Sequence, residues 1–364
     1  MPLTSTIVTL LIFTVIVVVH EWGHFIVARR NGVLVEEFAV GFGPILLSWQ
    51  RGETLFSIRA IPLGGYCKML DGEPDEINDP RAFISKSVWQ RISILIAGSI
   101  MNFLLAVLLG VILISATFVS TTSVATVISN SPAEAAGIMP GDRIVRIDGS
   151  TVHSFEHIGR ALTRAGGNEI DIVIRRDGFR QTFSLAAEYT YNEATGQSRY
   201  LMGISIVTRA GFLSPMREYA EVATLAETLR GAWGLSVYSV TMVLDGLAML
   251  ASRQVGMDDM LGPIGVGQVI DTNLQAAVEA QVPVRNMAMF GVQIAMLLSA
   301  NLAVLNLLPI PALDGGRITL LTIEGIRRKP LQPEREGWIH LAGFAIVIGL
   351  AVMIAFNDIL RIVR

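Results

Sequence analysis

The sequence predicts a polytopic α-helical membrane protein with four transmembrane helices, a membrane-associated β-rich segment and an inserted extracytoplasmic α+β domain. Three observations predict it. Long uncharged stretches recur along the chain, two of them precede and follow a strand-rich soluble block, and a cluster of ionisable residues interrupts the first apolar stretch. Of 364 residues, 52% are hydrophobic and only 16% charged, whereas about 25% are charged in an ordinary soluble domain. The net charge of −3, with scattered basic residues, leaves no polybasic footprint. Nucleic acid is therefore not expected as a partner, and the lipid bilayer is. Cys67 is the only cysteine, so neither an intramolecular disulfide nor a cysteine-based zinc site is available.

The first element is a helix. Residues 2–19 carry no charge, a run of about 18 that meets the length of a membrane span. The start lacks a charged n-region and a small-residue cleavage site, so it reads as a retained signal anchor. His20-Glu21-Trp22-Gly23-His24 continues this helix, and positions i and i+4 share one face. His20 and His24 thus point the same way with Glu21 beside them, the spacing that holds a zinc ion and places a carboxylate to take a proton from water. In a soluble protein such a string often arises by chance. Inside lipid, an ionisable group costs roughly 2.5 kcal/mol or more unless it has a partner or a function, and three in one turn favour the metal reading.

Arg29 and Arg30 close the helix, and the basic loop up to Arg91 marks the cytoplasmic side, which places the N-terminus outside. Residues 38–66 read as β structure. A turn is expected at Gly41-Phe42-Gly43-Pro44, with strands at 45–49 and 54–61 and Arg51-Gly52-Glu53 between them. Its apolar side chains suit a sheet that dips into the membrane, with an edge able to pair with an extended chain. A small cytoplasmic cap is the alternative. Residues 71–80 are acidic and read as a solvated loop. Residues 92–120 form the second span. Asn102 within it is either a helix–helix hydrogen-bonding group or a neighbour of the site.

Residues 123–207 change character. Strands are expected at 124–129, 170–175, 182–186 and 201–207, a turn, strand and turn at 141–149, and helices at 131–137 and near 155–165. His153 and His157, one turn apart, read as surface histidines. Leu225–Ala251 is apolar enough to suggest another span, but the site argues against it. A third ligand must come from a helix at the depth of His20 and His24, and Asp314 follows the apolar run 286–313. That run must travel inward, as the first helix does. Leu225–Ala251 is therefore expected on the outer face as an amphipathic helix carrying Arg230, Asp245 and Arg253. Arg317, Arg327, Arg328 and Lys329 agree with a cytoplasmic loop. Residues 338–356 form the last span.

Residues 301–316 mix apolar helix with Asn301, Asn306, Pro309, Pro311 and Asp314. Proline in lipid is tolerated where protein or water satisfies the freed backbone groups, which marks a cavity. Asp314 is the oxygen donor that would complete a three-ligand site with one open position. A plain surface turn at Asp314-Gly315-Gly316 is the alternative.

The motifs together carry a resemblance. Residues 130–149 and the Tyr200-Leu201-Met202-Gly203-Ile204 segment look like a circularly permuted PDZ domain, whose peptide-end loop would be Leu201, Met202, Gly203 and Ile204. His20 to His24, Pro62-Leu63-Gly64-Gly65-Tyr66, Asn102, this insert, Gly262-Pro263-Ile264-Gly265 and residues 306–316 follow the order of the site-2 protease family, in its bacterial intramembrane zinc metalloprotease branch. The resemblance implies zinc on His20, His24 and Asp314, Glu21 as the base, and Asn306 with Asn301 holding the substrate backbone. It also implies substrates that are single-pass membrane proteins, such as anti-sigma factors or remnant signal peptides, already trimmed by another protease. The place implied is a bacterial inner membrane, with both termini and the PDZ domain extracytoplasmic and the site toward the cytoplasm. Ser99, Arg317 and the single PDZ-like domain depart from the common pattern. The expected domains are an N-terminal core at 1–121 with its β-rich loop at 36–70, the PDZ domain at 122–208, a membrane-surface linker at 209–285 and a C-terminal core at 286–364. A scaffold with a structural metal would not need Glu21. A metal transporter would want polar groups on several spans, and the second span carries no charge.

Overall fold

A computed structural model describes residues 3–71, 79–192, 197–218, 220–253, 256, 262–327 and 333–363. Most of the acidic loop, together with Arg328 and Lys329, lies outside these residues. The chain divides into two compact units, one made of Met1–Ala106 with Val240–Arg364 and the other of Val107–Ser239.

In the first unit, α1 (Leu3–Arg30) is one unbroken helix. The two arginines of its last turn complement the negative end of its dipole. β1 (Val35–Arg51) and β2 (Thr54–Met69) follow, joined at Gly52, whose φ of 64° suits a tight turn. Each strand is longer than expected, because Gly41-Phe42-Gly43-Pro44 does not end the strand. Gly41 and Gly43 take φ of 86° and 84° and bend it instead. A Cβ on Gly41 would lie 2.5 Å from the Ile61 carbonyl oxygen, so only glycine permits the bend. The bend lets residues 37–40 pair with 65–68 on one edge and with 55–58 on the other. Glu37 ties these segments together, accepting from Ser57, Arg59 and Tyr66 at 2.6, 2.6 and 2.8 Å. Those donors hold its carboxyl below the usual range although burial pushes it up. Leu46, Leu47 and Trp49 stay exposed, an apolar surface that water would disfavour.

α2 (Val88–Ala116) begins earlier than the expected span and ends four residues before Ser120. Its first turns carry Arg91, which is buried and paired with Glu324 of a later helix. α1 and α2 meet closely, since a Cβ on Gly23 would stand 2.5 Å from the Ala97 carbonyl oxygen.

In the second unit, β3 (Phe118–Val127), β4 (Arg143–Ile147), β5 (Ser150–Thr151), β6 (Glu169–Arg176), β7 (Phe179–Ala186) and β10 (Ile204–Ala210) form a sheet. The order is β10-β3-β4-β6-β7, with β5 on β4. β8 (Glu188–Asn192) and β9 (Gln197–Leu201) form a separate hairpin that the sequence reading missed. Two helices, α3 (Pro132–Ala135) and α4 (Phe155–Ala165), lie where expected. Ser131 caps α3 by accepting from the Glu134 N–H. Val124, Ile144, Ile172, Ile174, Leu162 and Met202 build the core. The expected strand at 201–207 breaks at Met202 and Gly203, where Gly203 takes φ of 82°. Met202 turns inward, and the two carbonyls accept from Ala133 and Ile128.

After α5 (Leu225–Ala251) the first unit resumes with α6 (Pro263–Glu279), α7 (Val284–Leu305), α8 (Asp314–Arg327) and α9 (Pro333–Val363). α6, placed in the expected surface linker, packs against α1, α7 and α9. Its first amides, from Gly262 and Gly265, donate to the buried Asp358 carboxylate of α9 at 3.2 and 2.8 Å. A helix N-terminus so placed satisfies an anion. Asp314 does not lie at the end of the apolar run, as expected, but opens α8. Pro309 and Pro311 end α7 at Leu305, and residues 306–313 fold back before a new helix starts. Five helices among the described residues are long and apolar enough to cross a membrane. They are the four expected ones and Leu225–Ala251, the least apolar of the five.

Candidate metal centre

His20 and His24 are both buried on α1. Their Nε2 atoms stand 3.1 Å apart. Asp314, held at the first position of α8, places Oδ2 at 3.1 Å from His20 Nε2 and 3.3 Å from His24 Nε2. A tetrahedral ion with bonds of about 2.0–2.1 Å sets its ligand atoms about 3.3–3.4 Å apart, close to this triangle. Among the described residues this is the one group of three such donors that converges. The donor set of two imidazoles and one carboxylate fits zinc and leaves a fourth position open.

The surroundings fix the rings. His24 donates Nδ1–H to the Ile94 carbonyl at 2.8 Å, which leaves Nε2 as the ligand atom. For His20 the amide of Asn102 lies 3.3 Å from Nδ1. The amide nitrogen faces the ring, while the buried Asn102 Oδ1 has no partner among the described residues. An amide can be turned over without changing its shape. Turned, its oxygen accepts Nδ1–H, the orphaned atom is satisfied, and His20 Nε2 is free for the ion. The backbone carbonyl of Asn102 separately accepts from Ser299 Oγ at 2.8 Å. Asn102 is thus both a helix–helix contact and a neighbour of the site.

Gly98, one turn before Asn102 on α2, forms the wall behind the rings. A Cβ there would stand 2.6 Å from both His20 and His24. At Gly315 and Gly316 a Cβ would meet the carbonyls of Leu307, Leu308 and Ile310 at 2.3 Å. Those two glycines let the folded-back loop seat Asp314. Gly315 N–H donates to the Asn306 carbonyl at 2.7 Å.

Glu21 does not join the triangle. Its Oε2 accepts the Cys67 N–H at 3.1 Å, so the edge of β2 at residues 65–69 runs beside it. Burial and the charge of Glu21 push the Cys67 thiol up to about 12, which keeps it protonated and unreactive. The Asn306 amide nitrogen lies 3.2 Å from His20 Nε2. Asn301, partly buried on α7, makes no hydrogen bond to the histidines or to Asp314 among the described residues. Leu201 to Ile204 belong to the second unit. His153 and His157 there have rings 5.8 Å apart, and His157 meets Tyr238 edge-on and Ser154 by a hydrogen bond. Gly98 and the Ile94 carbonyl escaped the sequence reading. The spacing of Gly98 and Asn102, one helical turn apart, is the signal that points to the first.

A helix carrying Glu21 beside two histidines that converge with Asp314, inside a chain with several membrane-length helices, defines the class: a zinc metalloprotease of the membrane. The chain belongs to peptidase family M50, whose sequence profile matches residues 8–350. It is 34% identical over 359 residues to a Clostridium acetobutylicum protein provisionally named a zinc metalloprotease, covering 99% of this chain and 98% of that one. It is 28% identical to the zinc metalloprotease RasP of Oceanobacillus iheyensis, covering 99% of this chain and 100% of the relative. With RasP of Shouchella clausii the identity is 29%, over 96% and 97% of the two chains.

Proposed function

We propose that this metalloprotease hydrolyses peptide bonds within or next to the transmembrane segment of single-pass membrane proteins, as a step of regulated intramembrane proteolysis. The observation that carries the reading is the convergence of Asp314, from the start of α8, on His20 and His24 of α1, a helix of membrane-spanning length. A soluble substrate would have no route to donors at that depth. Zinc, when bound, supplies the Lewis acidity that polarises the scissile carbonyl and acidifies a water. Glu21 would take a proton from the attacking water on its carboxylate and pass it to the leaving amine. Asn102 and the Ile94 carbonyl hold the two imidazoles in the ligating tautomer. Asn306, and by family resemblance Asn301, would hold the substrate backbone.

A helical substrate hides its carbonyls in its own hydrogen bonds and must be unwound before attack. The outer edge of residues 65–69, beside Glu21, suits capture of the extended stretch by strand addition. Residues 122–208, within the second unit, read as the PDZ-like domain of the family. β10 follows the Leu201-Met202-Gly203-Ile204 loop and lies at the edge of its sheet, which suits binding of a trimmed chain end. The topology that fits this reading has four spans, α1, α2, α7 and α9, with α5 on the outer face and both termini outside. It brings α1 and α7 to the site in the same direction, and Arg317 and Arg327 then fall on the cytoplasmic side. Anti-sigma factors and remnant signal peptides in a bacterial inner membrane are the substrates of this kind.

The test is cleavage in proteoliposomes of a single-pass protein, supplied intact and with its outer domain trimmed, with the cut located by mass spectrometry. A cut inside the apolar segment of the trimmed form is expected. A cut confined to soluble loops would contradict the reading.

A further inference from the structure

The second unit contains a cavity of about 130 Å³ bounded by residues 119–123, Arg143, Arg209, Glu227 and Arg230. About 10–15 Å³ of such space admits one water, so a group of several heavy atoms fits. We propose that it holds the phosphate group of an anionic phospholipid headgroup from the outer leaflet.

Charge is the first argument. Three guanidinium groups and one carboxylate line the cavity. The carboxylate is already engaged, because Glu227 pairs with Arg209 and accepts from the backbone N–H and the hydroxyl of Thr224 at 2.9 Å each. Arg209 also reaches Glu221 at 3.3 Å. Arg143 and Arg230 make no salt bridge among the described residues, and Glu227 acts on Arg143 only through its nearby charge. Across the sheet Arg143 pairs with Arg175, a further cation. Burial, and then the nearby Arg230 and Arg175, push Arg143 below the usual arginine range. A cluster of this kind is incomplete without an anion, and the planar fork of arginine matches phosphate oxygens. Ser120, Thr122 and Ser123 add hydroxyl donors to the wall.

Depth is the second argument. A Cβ on Gly231 would touch the side chains of Ile114 and Val119 at 3.0 Å, and one on Gly110 would lie 3.3 Å from the Ala232 carbonyl. Arg230 therefore stands just above the apolar end of α2, which closes at Ala116. That is headgroup level if α2 crosses the bilayer, so the inference rests on the membrane topology proposed above. Leu229 and Trp233, the neighbours of Arg230 along α5, are each 48% exposed. They offer a surface for acyl chains, with tryptophan where interfaces favour it.

The test uses the full chain in nanodiscs of phosphatidylcholine with or without phosphatidylglycerol. Lipid retained after detergent extraction is read by native mass spectrometry, for wild type, Arg143→Gln, Arg230→Gln and the double variant. Wild type is expected to retain phosphatidylglycerol preferentially, with the preference falling roughly fivefold for each arginine removed. In phosphatidylcholine alone the variants are expected to melt no lower than wild type, because each removes a like charge, so a lost preference is not lost folding. Equal retention by wild type and the double variant overturns the proposal. So does protection by millimolar inorganic phosphate without any phosphatidylglycerol preference, which assigns a soluble anion. Protection by a peptide with a free C-terminus but not by its amide assigns a chain-end site and likewise overturns it. Lipid retention is read without cleavage, so its failure and a failure of the protease reading are separate results.

Discussion

The side-chain amide of Asn102 faces Nδ1 of His20 at 3.3 Å from the neighbouring helix. With its oxygen toward the ring, it fixes which nitrogen of His20 would reach a bound ion. Partners of this kind contribute about 10–100-fold to metal affinity.

Asn102→Ala is therefore expected to lower zinc affinity by roughly that 10–100-fold. Asn102→Asp retains an acceptor for Nδ1–H and should stay within a few fold of wild type. Competition with a graded series of chelators measures both. Equal losses in the two variants would mean that Asn102 acts through packing alone.

Gly98 has no room for a side chain, because a Cβ would sit 2.6 Å from both imidazoles. Gly98→Ala should displace the rings and deplete zinc in the purified protein. The adjacent Ser99, whose buried hydroxyl has no hydrogen-bond partner among the described residues, supplies the control. Ser99→Ala should keep zinc and be neutral or slightly stabilising, since it removes an unsatisfied group. Zinc content by metal analysis reads both. Full zinc in Gly98→Ala would contradict the wall assigned to it.

Asp142 is buried and accepts from both Arg176 and the Met139 N–H. Burial pushes its carboxyl up, but these donors outweigh it and hold the group below its usual range. A depressed carboxyl contributes stability above its unfolded pKa of about 3.9 and loses it as pH falls through the folded value. Protection of residues 139–143 from hydrogen exchange, taken relative to the intrinsic rate at each pH, should therefore fall below about pH 4. In Asp142→Asn, protection should be lower at neutral pH and flatter with acid. A wild-type profile that is flat to pH 2 would remove the pair from the account.

The parts of this molecule that were legible in the sequence are those fixed by local spacing. His20 and His24 share a face because helical periodicity demands it, and α4 runs over Phe155–Ala165 as its apolar stripe requires. Asp314 was legible as a donor but not as the first residue of α8, because the two prolines show where a helix stops and not how the loop returns. Three features were missed for the same reason, that they are contacts between distant segments. Ile94 enters through its backbone carbonyl and Gly98 through a side chain it lacks. The sheet of β1 and β2 depends on a bend whose glycines read equally well as a turn. The number of spans also stayed beyond reach of composition, since α5 has the length and apolar character of a crossing helix while its charges suit a surface.

The most direct measurement is cleavage of a trimmed single-pass substrate by wild type and Glu21→Gln, with zinc measured on both. Glu21 lies outside the donor triangle and accepts from Cys67 N–H, so the amide variant should keep its zinc. The account predicts cleavage by wild type and none by Glu21→Gln at equal zinc content. Cleavage by zinc-loaded Glu21→Gln at a rate near wild type would contradict it.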